Sequence, residues 1–359
     1  MNAQPASSPF AHAGASVSNV MLQVCVALIP CTLFGIYIFG LPAAFLFLIT
    51  CASALATELL CLLWLKQPWY RVLDGSALLT GWLLALCLPP WAPWWIGALG
   101  GFFAIAVGKQ LYGGIGQNIF NPAMLARTAL LITFPVQMTL WTLPDSASAV
   151  SVKESIDYIF LGASIPDAYT GATYLGEFKT SLSLDNAVEN KPSLWLAFSG
   201  QQAGSMGETS ELLILLGAAF LFWRKIISWE IPLAMLSSLF LLTAIAYYAN
   251  SAQFADSIFH LTSGGVFFAA FFIATDPVTS PISRSGKLIF GIGCASVIFI
   301  IRQWGSFPEA VAFAVLFMNA LTPLIDRYFR PRIYGRDNSG KPLPELSGIE
   351  LVRESQKTL

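Results

Sequence analysis

Residues 73–93 read LDGSALLTGWLLALCLPPWAP, and they align without gaps with residues 261–281, which read LTSGGVFFAAFFIATDPVTSP. In both stretches a polar, glycine-containing segment leads into a short apolar run, and Pro89 matches Pro277 at the end of that run. Proline lacks a backbone donor and ends a helix, so both runs are predicted to be short or re-entrant helices. The match indicates an internal repeat; the alternative is a chance coincidence of two proline-ended helices.

The composition of the chain is that of an integral membrane protein. Of its 359 residues, 56% are hydrophobic and only 11% are charged, whereas soluble domains carry about 25% charged residues. The apolar runs are long enough to cross a hydrocarbon core of about 30 Å. A β-barrel would instead alternate in segments of about ten residues. The first run, from about Val20, follows a polar start without a basic region and is interpreted as a retained span.

The sequence therefore predicts an all-α integral membrane protein with about ten transmembrane helices. Because each half has five spans, an odd number, the second copy has the opposite orientation, and inverted repeats place a site near the midplane between them. The predicted spans are residues 20–40, 43–65, 76–89, 94–111, 122–135, 210–223, 230–249, 260–276, 287–303 and 308–326. The predicted domains are a first membrane repeat (1–135), an extracytoplasmic loop (136–209), a second membrane repeat (210–326) and a cytoplasmic tail (327–359).

Basic residues favour one side of this topology. The connections and tail on that side carry Lys66, Arg71, Lys109, Arg224, Lys225, Arg284, Lys287, Arg327, Arg330, Arg332 and Arg336. The positive-inside rule makes this side cytoplasmic, with both termini there and the net acidic loop 136–209 outside. Trp91, Trp94 and Trp95 are interpreted as an aromatic belt at the outer interface.

Several classes of site and partner are disfavoured. The net charge is −1, which suggests no nucleic-acid partner. The six cysteines all lie in apolar runs without a CxxC pair, and neither histidine has a neighbour at ligand spacing. We therefore expect buried thiols and no metal site within this chain.

Ionisable residues inside the predicted spans are functional candidates, because an unpaired charge in hydrocarbon is costly. They are Glu58, Arg127, Asp276, Arg302 and Glu309. We consider Arg127, Asp276 and Glu58 candidates for an ion path. The alternative is structural: Glu58 lies within two turns of Lys66, and Asp276 lies at a helix end, so snorkelling or capping also explains them.

The segment GGIGQNIFNPAMLARTAL (113–130) predicts a helix start. Asn121 followed by Pro122 is a favourable N-cap and first helical residue. The preceding glycines permit close backbone approach. A cap on the fifth helix and a helix N-terminus that lines a cofactor or ion path both fit this sequence.

The outer loop contains DAYTGAT (167–173), which resembles the flavinylation motif. In proteins with this motif, the last threonine is joined by a phosphodiester to the ribityl phosphate of FMN. The attachment motif here comprises Asp167, Thr170, Gly171, Ala172 and the acceptor Thr173. A threonine hydroxyl is a suitable nucleophile toward the FMN phosphate of FAD, in a reaction run by a flavin transferase. The alternative is a glycine turn in a polar loop.

Together with GGIGQNIFNPAMLARTA and GGVFFAAFFIATDPVTSP, this motif makes the chain resemble the D subunit of the Rnf ion-translocating electron transport complex. The related B subunit of the sodium-pumping NADH:quinone oxidoreductase is similar, but that family has a longer N-terminal extension, so the Rnf D subunit is preferred. The resemblance covers essentially the whole chain. It implies two inverted five-helix bundles of the urea-transporter type and covalent FMN on Thr173.

The resemblance also implies a function: electron transfer through FMN coupled to movement of Na+ or H+ across the bacterial inner membrane. The implied partners are the flavin-bearing G subunit, small membrane subunits, iron–sulfur subunits, the flavin transferase and lipid. A second, non-covalent flavin is left open. Two other classes remain: a solute channel or transporter on the same scaffold, and a non-catalytic scaffold within the complex.

The predicted topology is tested with two reporter fusions. A reporter near residue 190 should read extracytoplasmic and one after Arg336 cytoplasmic, because the basic residues are distributed asymmetrically. Both reporters on one side would mean that the ten-span count is wrong by one helix, and the inverted repeat would fall with it.

Overall fold

The computed structural model of the chain is mostly helical. It describes residues 16–144, 150–183, 198, 200, 202–251, 253–307 and 309–330. In the first half, helices α1 to α5 cover Val17–Phe39, Leu41–Trp64, Ser76–Cys87, Trp94–Ala106 and Pro122–Thr133. Asn121 caps α5 by accepting hydrogen bonds from the amides of Ala123 and Met124, with Pro122 as the first helical residue. The predicted N-cap is thus confirmed.

The loop that follows α5 is folded. It contains α6 (Pro135–Thr139), strand β1 (Trp141–Thr142), α7 (Val152–Phe160), strand β2 (Thr170–Gly171) and α8 (Tyr174–Ser183). The two strands are antiparallel, and Trp141 pairs with Gly171 and Thr142 with Thr170. A capping box of Ser151 and Glu154 starts α7, and Phe160 at its end contacts Phe45 of α2 with ring centroids 5.9 Å apart. Helix α7 therefore packs on the first membrane half.

The second half repeats a run of apolar helices. They are α9 (Glu211–Trp223), α10 (Glu230–Ala249), α11 (Ser257–Thr262), α12 (Val266–Phe268) with a π-helical turn (Ala269–Ile273), α13 (Arg284–Trp304) and α14 (Val311–Tyr328). The single helix predicted at 260–276 is wrong: the backbone breaks at 263–265, where Gly264 has φ +75°. A side chain there would be strained and would lie 2.9 Å from Leu175.

Five described helices, α1, α2, α10, α13 and α14, are long and apolar enough to cross a membrane. Helices α3, α5 and α9 are apolar but shorter, with 12 or 13 residues each. The chain is therefore a multi-pass helical membrane protein. The count of ten spans, the inverted repeat and the four predicted domain boundaries remain predictions.

The two halves share one buried core. Helix α2 packs against α3 and α4, and α10 packs against α13. Between the halves, α1 contacts α9, and α5 contacts α14. Leu28, Leu84 and Phe290 are among the fully buried side chains of this core.

Candidate functional site

Thr173 is placed at the start of a helix. Its Oγ1 accepts a hydrogen bond from the amide of Gly176 at 3.1 Å, the geometry of an N-cap for α8. Thr173 is 8% exposed, while the preceding Ala172 is exposed. A Cβ at Gly176 would lie 3.3 Å from this oxygen, so the glycine leaves room beside the hydroxyl. A phosphoryl group on this oxygen would lie at a helix N-terminus, where the amides and the helix dipole favour an anion.

The other residues of the motif make their own contacts in the segment that precedes Thr173. Gly171 lies in β2, and a Cβ there would come 2.6 Å from Cδ2 of Leu143, so only glycine fits without a shift. The hydroxyl of Thr170 donates to the carbonyl of Asp167 at 3.3 Å, and the Asp167 side chain is exposed. A side chain at Gly171 would therefore require the Leu143 side chain, which is 37% exposed, to move.

Trp91 packs against α7 and against a tyrosine of the motif. It is 2% exposed, its Nε1 donates to the Phe39 carbonyl at 2.8 Å, and its ring lies 5.6 Å from Tyr158 and 5.8 Å from Tyr169. The assignment of Trp91 to an aromatic belt is therefore wrong, because a belt residue faces lipid. Trp94, at 42% exposed, keeps the exposure that such a belt needs.

Helix α8 is docked onto the second half. Leu175 and Phe178 are each 3% exposed and cluster with Phe259 of α11. The Nζ of Lys179 donates to the carbonyl oxygens of Ile301, Gly305 and Phe307 at 3.2, 2.5 and 2.6 Å. Burial lowers the pKa of Lys179, and the charge of Arg302 lowers it further.

Glu58 is held by a partner that sequence reasoning missed. Its Oε1 lies 2.8 Å from Nζ of Lys109, and both side chains are almost fully buried. Lys109 also donates to Oγ of Ser76 at 2.7 Å, and Ser76 in turn bonds to Asp74. Lys66, which the structural alternative placed near Glu58, is exposed. Lys109 was assigned to a cytoplasmic connection, and only its distance in space from Glu58 reveals the pair.

Arg127 is also paired. It forms an ion pair with Glu309 and lies 3.8 Å from Oε1 of Glu208. Glu208 comes from the end of the outer loop and is 6% exposed. Sequence reasoning missed it because the residue lies outside every predicted span. Oε1 atoms of Glu208 and Glu309 are buried without a hydrogen-bond partner, so this cluster holds spare acceptors.

Arg302 bridges the broken helix of the second half. It is 2% exposed and donates to the carbonyls of His260 and Ser263. These carbonyls lie at the end of α11 and in the break, where intrahelical partners are missing. Arg302 therefore stabilises the break.

Asp276 lines a cavity of about 90 Å³ between the halves, together with Ser76, Lys109, Asn118 and Asn121. Its Oδ1 accepts from the Val278 amide at 3.2 Å and its Oδ2 from the Thr279 hydroxyl at 3.1 Å. The cavity thus gathers Asp276 and the Lys109 end of the Glu58 pair. Arg127 lies six residues beyond Asn121 on α5, about 9 Å along the helix.

The described residues contain no group of three His, Cys, Asp or Glu side chains placed to hold a metal ion. His260 is buried against Phe178 and Phe259, and its Nε2 lies 3.2 Å from the side-chain amide of Gln303. The cysteines are unpaired thiols in the described structure.

Comparison with known proteins identifies relatives over the whole length. A sequence profile of the NQR2, RnfD, RnfE family matches residues 4–335. The D subunit of the ion-translocating oxidoreductase complex of Stutzerimonas stutzeri is 56% identical over 349 residues, covering 95% of this chain and 99% of that relative. Its namesake from Halorhodospira halophila is 46% identical, covering 93% and 96%. The namesake from Rhodobacter capsulatus is 44% identical, covering 83% and 85%.

The buried Glu58–Lys109 pair generates a stability prediction. Lys109→Met should leave an uncompensated carboxylate and lower the free energy of unfolding by about 3–5 kcal/mol. The double variant Lys109→Met/Glu58→Met should recover most of this loss, since no charge stays unpaired. Thermal unfolding in detergent measures both, with Lys153→Met on exposed α7 as the control. A double variant less stable than the single one would contradict the pairing.

Proposed function

Because the chain belongs to the NQR2, RnfD, RnfE family, we propose that it is the D subunit of an Rnf-type ion-translocating oxidoreductase complex in a bacterial inner membrane. It passes electrons through covalent FMN and couples them to movement of Na+ or H+, and it is not catalytically complete alone. The names of its relatives favour this assignment over the B subunit of the sodium-pumping NADH:quinone oxidoreductase.

The position of Thr173 is the observation that carries the flavin assignment. Its oxygen caps α8, so a phosphodiester there would meet free amides. Bound FMN would supply one- and two-electron chemistry. The residues of this chain hold the attachment point: β1 pairs with the motif, and Lys179 fixes α8. Electrons would come from the G subunit and from iron–sulfur subunits, and a second, non-covalent flavin remains an open part of the proposal.

The packing of the helices supports the inverted repeat. The second and fourth helices pack together in each half, α2 with α4 and α10 with α13. The first helices of the halves, α1 and α9, contact each other, as do the last, α5 and α14. A two-fold axis in the membrane plane would produce such pairs. The distribution of basic residues supports cytoplasmic termini and a flavin loop outside.

The buried charges support an ion path in two parts. Asp276 and Lys109 line the cavity at the end predicted to be cytoplasmic. Arg127, Glu208 and Glu309 form the cluster next to the outer loop. Intramembrane ionisable groups that face a cavity or the space between bundles are typical of ion paths, and we assign Asp276 to the inner part and the Arg127 cluster to the outer part.

The flavin assignment predicts that Thr173→Ala loses all covalent FMN and, with it, electron transfer through the complex. A polar-loop position alone predicts a stability change within about 0.5 kcal/mol, but loss of the α8 cap raises the expected cost to about 1 kcal/mol. Thr173→Ser keeps a hydroxyl and should keep part of the attachment.

Peptide mass spectrometry of the loop is the measurement, on protein made with its flavin transferase. Thr180→Ala, the same chemical change at an exposed position of α8 outside the motif, is the matched control and should keep the adduct. An FMN-sized adduct on Thr170 or elsewhere, or no adduct on the wild-type protein, means that the motif has been misread.

The ion path predicts that Asp276→Asn lowers ion transport per electron at least severalfold while covalent FMN stays at the wild-type level. The exchange removes a charge that faces the cavity but keeps an acceptor for the Val278 amide. Asp157→Asn on α7 is the control. Ion uptake and electron transfer are measured on the same reconstituted vesicles, and unchanged coupling in Asp276→Asn would leave this residue only its capping role.

A further inference from the structure

Helix α8 connects the proposed flavin site to the second membrane half through one face. Leu175, Phe178 and Lys179 lie at positions i, i+3 and i+4 and therefore share that face. Leu175 packs so closely over Gly264 that a Cβ there would come 2.9 Å from its Cδ1. Phe178 packs on Phe259 with ring centroids 5.6 Å apart. Helix α8, which begins after Thr173, therefore packs against the broken helix α11–α12.

Lys179 adds polar contacts between α8 and the second half, and it uses all of its donors. An ammonium group has three N–H donors, and here each meets a carbonyl, those of Ile301, Gly305 and Phe307. The carbonyls of Gly305 and Phe307 lie just beyond the end of α13, where helical partners run out, whereas the Ile301 carbonyl also accepts from the Gly305 amide. Hydrogen bonds to three different residues therefore restrain the position of Nζ.

Leu175 and Lys179, the two residues that hold α8, contact two segments that Arg302 connects. Leu175 contacts the break at Gly264, and Lys179 contacts the end of α13. Arg302 of α13 donates to the carbonyls of His260 and Ser263 at the same break. The apolar contact of Leu175 and the polar contacts of Lys179 and Arg302 therefore form one continuous interface between α8 and the second half.

A lysine near a helix C-terminus is commonly an ordinary cap. This lysine differs because it comes from another helix, six residues or about 9 Å after Thr173. Its position therefore determines where Thr173 lies relative to the second half. An ordinary cap would affect the stability of α13 only.

We propose that Lys179 is a positioning residue that holds Thr173, and the FMN carried there, at a fixed place and orientation relative to the second membrane half. The inference rests on the proposed function, since it concerns the flavin on Thr173. A redox group needs a fixed distance to its partner, and a displacement of about 1 Å at a reacting centre can cost about a hundredfold in rate.

The test compares Lys179→Met with Lys179→Arg and with Lys153→Met, the same chemical change on an exposed lysine of α7, all in the assembled complex. In-gel fluorescence first measures covalent FMN, which should be at the wild-type level in every variant. Fluorescence anisotropy, measured on complexes whose G subunit lacks its flavin, then reports the mobility of the flavin on Thr173, and electron transfer through complexes with all flavins reports its placement.

We expect lower anisotropy and about tenfold slower electron transfer in Lys179→Met, with Lys179→Arg near wild type because it keeps charge and donors, and Lys153→Met unchanged. If Lys179→Met does not accumulate, Lys179→Gln, which keeps an N–H donor on a shorter side chain, is scored in the same way. Normal FMN occupancy with unchanged anisotropy and rate would overturn this inference alone. A wild-type protein without covalent flavin would overturn the proposed function itself.

Discussion

The cost of an unpaired charge or backbone group in hydrocarbon governs this structure. Every ionisable residue singled out inside the predicted spans has a polar contact. Glu58 is paired with Lys109, Arg127 with Glu309, and Asp276 accepts two local hydrogen bonds. The same constraint permits a helix break in the second half only because Arg302 supplies donors to the freed carbonyls. Pairing across long sequence distances therefore determines how the helices are held together.

The loop that contains DAYTGAT has a different requirement, because its order comes from packing against the two membrane halves. Trp91 provides one anchor, because its ring stacks on Tyr158 and contacts Tyr169, and Lys179 provides the other. Thr173, the proposed attachment residue, lies between the two anchors. A loop held on both sides of this residue presents it in one orientation, which suits the proposed role of carrying a redox group.

The sequence predicted the helical class, the cap at Asn121 and the family, because composition, local capping chemistry and short motifs express them within a few residues. It could not provide the partners. Glu58 and Lys109 are separated by 51 positions, and Lys179 lies 122 or more positions from its acceptors. The predicted span 260–276 included the break at 263–265, although the polar, glycine-containing segment at 261–265 already marked a possible helix start there. Trp91 was misassigned because the sequence around a tryptophan near a helix end does not show whether its ring faces lipid or packs against another ring.

The arrangement of aromatic rings between the two charged regions bears on the channel alternative. Phe272 lines the cavity that contains Asp276, and it stacks on Phe268 with ring centroids 5.7 Å apart. Phe268 in turn approaches Gly207, where a Cβ would lie 3.4 Å from its ring, next to Glu208 of the outer cluster. Both rings are at most 5% exposed. A solute channel needs a continuous polar passage, whereas here a stacked apolar pair lies between Asp276 and Glu208. Buried aromatic rings at this place suit a translocase, in which leakage would dissipate the gradient, better than an open pore.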